Sequence, residues 1–213
     1  VDGSHIDVDR HIPVRCFLIN LGSCYIRYGS DPNAYLRNQP ALSKEEDLHI
    51  SNTTSESVET VAVQGPILGL KRMVAEVEHL ADLAEHNTDD GPLLALIDGS
   101  LILWSLAGRG YPTFVREAIV QGQLIPAMER LQKASQTRPL VVAAYISLPQ
   151  STEVVNAIKR YVCTYNSSDC LSQCSGHKSI KEPCNKFNGI LDRDVFGKLL
   201  SIGQRSSVFY TQS

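Results

Sequence analysis

Apolar positions along this chain fall into two kinds of run, short β-rich stretches and longer stretches at helical spacing. Val14 to Asn20 and Ser23 to Tyr28 are β-rich and flank Leu21-Gly22, which predicts a hairpin. With Val1-Asp2 they predict three consecutive antiparallel strands, the first cut short by the start of the sequence. Residues 30–59 are rich in Ser, Asn, Asp, Glu and Thr and predict a long exposed, partly disordered loop. From Gly69 to His86, Met73, Val77, Leu80 and Ala84 recur at helical spacing. Leu93 to Ile97 and Leu140 to Ser147 are continuous apolar runs of the fully buried strand type. Leu101 to Leu106 starts a helix that Gly108 and Gly110 stop. Thr113 to Ala134 is amphipathic and helical, with Pro126 as a kink. Ser151 to Val162 predicts a helix with Ser151 as N-cap, Asp192 to Ser201 a short helix, and Ser207 to Tyr210 a last strand. The order β-β-β-α-β-α-β-α predicts an α/β fold, a mixed sheet with helices on its faces.

One string occurs twice, Asp2-Gly3-Ser4 and Asp98-Gly99-Ser100. An aspartate at the carboxyl end of a buried strand, followed by a glycine that lets the backbone turn, is held at the lip of a sheet. Two such aspartates from two strands can share a divalent cation, which points to metal-dependent phosphoryl or phosphodiester chemistry. A turn alone would account for a single copy. The helix adds a third carboxylate: Glu76 falls on the apolar stripe, where an unpaired charge is costly and implies a ligand or an ion pair. Glu78 lies on another face and is the second choice; Glu85 is expected to be solvated. His5, Asp7, Asp9 and His11 follow the first copy as outer groups or a solvated turn.

Bulk properties narrow this reading. The 213 residues carry a net charge of -3, so nucleic acid would be bound through a local patch rather than a global positive field. No run approaches the length of a membrane span. No signal peptide is visible, and a cytoplasmic location is expected. The chain starts at Val1 without Met and reads as a fragment of a longer protein. Cys16 and Cys24 are isolated, whereas Cys163, Cys170, Cys174 and Cys184 cluster in a polar insertion loop spanning residues 163–188. Four thiolates can form a closed tetrahedral Zn²⁺ site or hold an iron–sulfur cluster, and would order that loop. Reduced, scattered thiols are the alternative.

Val1-Asp2-Gly3-Ser4-His5, Ile26-Arg27-Tyr28-Gly29, Arg72 to Leu80, Leu94 to Leu101 and Leu191 to Phe196 together resemble the NurA nucleases. That resemblance, across most of the chain, implies one NurA-like domain over residues 1–213 with an RNase H-like core. It implies a manganese-dependent deoxyribonuclease (Mn²⁺ or Mg²⁺) that degrades DNA 5′ to 3′ and also cuts single strands. The implied setting is DNA end resection and double-strand break repair, as a homodimer working with a HerA-type hexameric helicase or translocase. By motif position, Asp2 and Asp98 resemble the family's metal-binding aspartates and Glu76 its helix glutamate. The family's further Tyr and His near the carboxyl end have no match here, so the domain reads as incomplete.

Lys71, Arg72, Arg109, Arg116, Lys159, Arg160, Arg193, Lys198 and Arg205 are candidate phosphate contacts, and Trp104 and Tyr111 candidate stacking or core residues. Two other readings compete. One is a non-catalytic domain that binds DNA ends or a ring ATPase. The other is a sugar-kinase-like or actin-like ATPase, disfavoured because the chain is short and shows no later Gly-rich adenosine loop.

Overall fold

The computed structural model describes residues 1–7, 15–53, 57–103, 106, 110–163 and 183–208. The chain divides into two compact units, Val1–Ser147 and Leu148–Ser213.

In the first unit, β1 (Asp2–Asp7), β2 (Cys16–Arg27) and β3 (Asn33–Lys44) form an antiparallel sheet in the order β1-β2-β3. The three antiparallel strands are present, but two of them differ from expectation. Leu21-Gly22 is no turn: Gly22 is paired with Asp2 on one side and Asn38 on the other, so β2 runs straight through it. The hairpin turns instead at Gly29, which has φ 120 and no Cβ to clash. The expected loop over 30–59 is largely ordered as β3, a 3₁₀ turn (Glu45–Leu48), β4 (His49–Thr53) and the start of β5 (Val58–Ala62). Its polar composition misled because β3 is an edge strand. The ladder with β2 satisfies its backbone, while its side chains remain exposed, and Pro40 and Lys44 suit an edge.

Helix α1 (Pro66–His86) begins at Gly65-Pro66, with proline in its first turn. It is the spine of the unit. Leu68, Leu70 and Val74 pack with Phe17 and Ile19 of β2, and Val77, Leu80 and Ala84 pack with Ala95 and Ile97 of β6 (Leu93–Asp98). Each such fully buried side chain stabilises the fold by about 1.5–3 kcal/mol. The expected helix from Thr113 is α2 (Thr113–Arg116), a π-helical stretch (Glu117–Leu124) and α3 (Ile125–Thr137). The irregularity precedes Pro126 rather than kinking the chain at it. The N–H of Ile125 reaches back five residues to Val120 O, a wide turn that leads into the proline lacking a donor. Leu101–Leu103 are not helical.

Strands β6 and β7 (Leu140–Tyr145) are parallel. Val1 links them to β1. Its N–H donates to Leu96 O (2.8 Å), and its carbonyl accepts from Asp98 N–H (3.1 Å). Bonds to residues on either side of Ile97 are the pattern of a parallel ladder. The face turned away from α1 carries exposed Leu36, Leu94, Leu96, Val141 and Tyr145.

The second unit comprises α4 (Glu153–Val162), a 3₁₀ turn (Pro183–Phe187) and α5 (Asp192–Leu199). Ser151 is not the main cap of α4. Asp192 takes that role from the start of α5: its carboxylate accepts from Val155 N–H (2.8 Å), Val154 N–H (3.2 Å) and Ser151 Oγ (2.7 Å). Burial alone would raise its pKa, but these bonds outweigh burial and hold it below the usual carboxylate value. Asp192→Ala should therefore destabilise this unit by about 2 kcal/mol, read as a drop in urea midpoint. The depressed pKa sets the sign: the stabilisation is present above pH 3.8, the unfolded value, and is lost as pH falls through the folded one. Ser207 and Val208 are not in a strand, and the rest of the expected last strand lies outside the described residues.

Candidate active site

The two Asp-Gly-Ser strings adopt different local structures. Asp98 ends β6, and Gly99 turns the chain with φ 128, as expected for a lip. Ser100 Oγ then accepts from Ile102 N–H (3.0 Å). Asp2-Gly3-Ser4 lies inside β1 and stays extended. There Gly3 serves close approach: a Cβ on it would stand 2.5 Å from Glu76 Oε1 and 3.2 Å from Arg72 Cγ. Gly3→Ala should displace the Glu76 carboxylate and destabilise the protein by about 2 kcal/mol through overpacking, measured as a lowered melting temperature.

The parallel link through Val1 makes Asp2 and Asp98 register neighbours on strands about 4.8 Å apart. Neighbours in register point to the same face, and both aspartates line one cavity of about 440 Å³. Pairing extends this row across the sheet through Asn38, Gly22, Asp2, Asp98 and Tyr145. Tyr145 and Asn38 also line the cavity. No motif marked either residue; only strand register brings them here.

Glu76 is buried, at 2% exposure, as its place on the apolar stripe predicts. It is paired with Arg72, whose Nη1 also donates to Gly3 O (2.9 Å). Burial raises the Glu76 pKa to about 7, against the opposing pull of Arg72 and with help from the charge of Asp2, while a backbone hydrogen bond from Gly3 lowers it. Arg72 is thus an internal partner rather than an outward phosphate contact. Its spacing of four residues before Glu76 was the available signal. Glu78 is half-buried on another face, where burial and Asp82 raise its pKa and Arg130 opposes them. Glu85 is not simply solvated: Arg130 pairs with it and with Asp82, tying α3 to α1.

Among the described residues, no three His, Cys, Asp or Glu side chains are grouped to hold a metal ion. Asp2 and Asp98 do offer hard oxygen donors on a shared face, which suits Mg²⁺ or Mn²⁺ in chemistry. Glu76 is not brought to that cavity: it lies against Gly3, paired with Arg72 through Oε1. Cys163 and Cys184 are free thiols, while Cys170 and Cys174 lie outside the described residues. So do Asp9, His11, Trp104 and Arg109. Asp7 accepts from Gly65 N–H (2.9 Å) at the start of α1, and Tyr111 packs into the first core cluster. No helix among the described residues is long and apolar enough to cross a membrane.

No curated protein and no solved structure matches the chain. The family model of the NurA domain matches residues 1–212, both Asp-Gly-Ser strings and the intervening helix included. The chain belongs to the NurA family, a family of nucleases.

Proposed function

We propose that this chain is a metal-dependent deoxyribonuclease domain whose site is Asp2, Asp98 and Glu76. The observation that carries the reading is the placement of Asp2 and Asp98 in register over one cavity, with the Glu76 carboxylate against Gly3 beside them. Two acidic groups side by side in a fold of negative net charge repel each other unless a cation joins them. A divalent ion held there supplies hydroxide from bound water and neutralises charge on the scissile phosphate. The chain's own part is to hold Asp2 and Asp98 at a fixed strand spacing and keep Glu76 in reserve behind them. We read the strands β3-β2-β1 beside β6-β7 as an RNase H-like sheet, supported by the two Val1 bonds.

The resemblance extends this reading. It adds 5′-to-3′ degradation, single-strand cutting, manganese as the metal, a homodimer, and work beside a HerA-type hexameric translocase in DNA end resection and break repair. The exposed apolar face bearing Leu94, Leu96 and Val141 is surface that such assembly has available to bury. Zn²⁺ or an iron–sulfur cluster on the four loop cysteines stays a proposal of the same standing.

The Arg72–Glu76 pair favours a second reading, a domain that binds DNA ends or an ATPase without cutting, because the charge of Glu76 is already compensated without a metal. End-labelled linear duplex and single-stranded DNA, incubated with the protein and Mn²⁺ or with a chelator, separates the two. Cutting that needs Mn²⁺ supports the nuclease. DNA binding without cutting, with or without a translocase present, supports the binding domain.

A further inference from the structure

Arg72 faces inward at the one place where the proposed metal chemistry needs a positive charge. Its side chain is 23% exposed and that of Glu76 only 3%, so the pair is largely shielded from water. Nη1 is shared between Glu76 Oε1 and Gly3 O, which ties α1 to β1 immediately beside Asp2. Gly3 leaves the carboxylate room to lie against the strand, since any Cβ there would overlap Oε1.

We propose that Arg72 is a positioning residue: the resident counter-cation of Glu76, which parks this carboxylate against Gly3 until a divalent cation at Asp2 and Asp98 takes it over. The inference rests on the metal-site reading above. An ionised carboxylate buried near another acid needs a cation, and the guanidinium supplies one when no metal is bound. A guanidinium and a divalent cation brought to the same carboxylate repel each other and divide its single negative charge. Arg72 and the metal therefore compete for Glu76. Removing Arg72 weakens the metal-free fold and strengthens metal binding, effects of opposite sign. A residue with only a structural role would weaken both.

The test is a titration of the full chain with Mn²⁺ at pH 8, where proton competition at Glu76 is reduced, with free Mn²⁺ followed by electron paramagnetic resonance. Melting temperatures are taken in parallel with and without the metal. Arg72→Gln should bind Mn²⁺ about tenfold more tightly than the parent, the equivalent of about 1.4 kcal/mol. It should also melt lower without metal and gain more from Mn²⁺. Arg72→Lys retains a charge but not the planar fork and should fall between the two, so it decides the matter if the glutamine form does not fold. In a Glu76→Gln background the Arg72→Gln change should alter Mn²⁺ affinity by less than about twofold, because the contested carboxylate is gone. Equal or weaker binding in both Arg72 variants overturns the inference, as does a gain that persists without Glu76. A parent that binds no Mn²⁺ overturns the inference together with the metal-site reading. A parent that binds Mn²⁺, with no gain in the variants, overturns the inference alone.

Discussion

Asp98→Ala should lower the Mn²⁺-dependent rate of DNA cutting by about a thousandfold or more, since a carboxylate that holds the metal acts on both the attacking water and the phosphate. The same change should leave the fold nearly as stable as before. Asp98 is an exposed residue at the end of β6, and its backbone N–H bond to Val1 O does not depend on the side chain. No buried partner is orphaned, unlike the usual case of a broken internal ion pair. The two readouts are the initial rate on end-labelled DNA and the urea midpoint of the same preparation. Asp2→Ala should match it in rate. A variant that melts normally and still cuts at a tenth of the parent rate or better, as an order of magnitude, would remove Asp98 from the site.

Glu76 should give the metal-free protein an unusual pH profile. Its pKa is raised from 4.5 in the unfolded chain to about 7 in the folded one. The folded state thus holds the proton more tightly, and this contribution is fully present below pH 4.5 and lost as pH rises to about 7. The size is on the order of 3 kcal/mol, at about 1.4 kcal/mol for each pH unit of displacement. Stability should therefore fall across this window, in the range where most proteins are at their best. Asp192 works in the opposite sense but only in more acidic solution, so the two windows are separate. Glu76→Gln removes the titrating group and should flatten the slope, as read from urea midpoints at pH 5 and pH 7.5. A slope unchanged in that variant would mean that Glu76 is not the acid that titrates there, and half-buried Glu78, whose pKa is also raised, would account for it.

How far the residues alone lead depends on the range of the force that decides each feature. Helical spacing of Met73, Val77, Leu80 and Ala84 is local, and α1 forms there. The continuous apolar runs from Leu93 and Leu140 likewise become β6 and β7, although each leaves one face exposed where full burial was expected, and Glu76 on the stripe is buried. Burial of a stripe follows from its period of 3.6 residues, whatever it packs against. The edge strand β3 was not legible, because a strand whose side chains stay in water needs a partner ladder rather than an apolar pattern. Gly22 differs from its expected turn for the same reason: pairing on both sides holds it extended, and pairing is not written in its neighbours.

The doubled Asp-Gly-Ser shows the division within one motif. Local patterning suffices for the carboxylates, the helix between them and the inward side of Glu76. Long-range packing makes Gly99 turn while Gly3 stays flat beneath Glu76. The same packing lets Val1 set Asp2 next to Asp98 and turns Arg72 inward to the glutamate. Those outcomes depend on strand register and on helix-to-sheet contact between residues far apart in the chain, where three identical letters meet different neighbours.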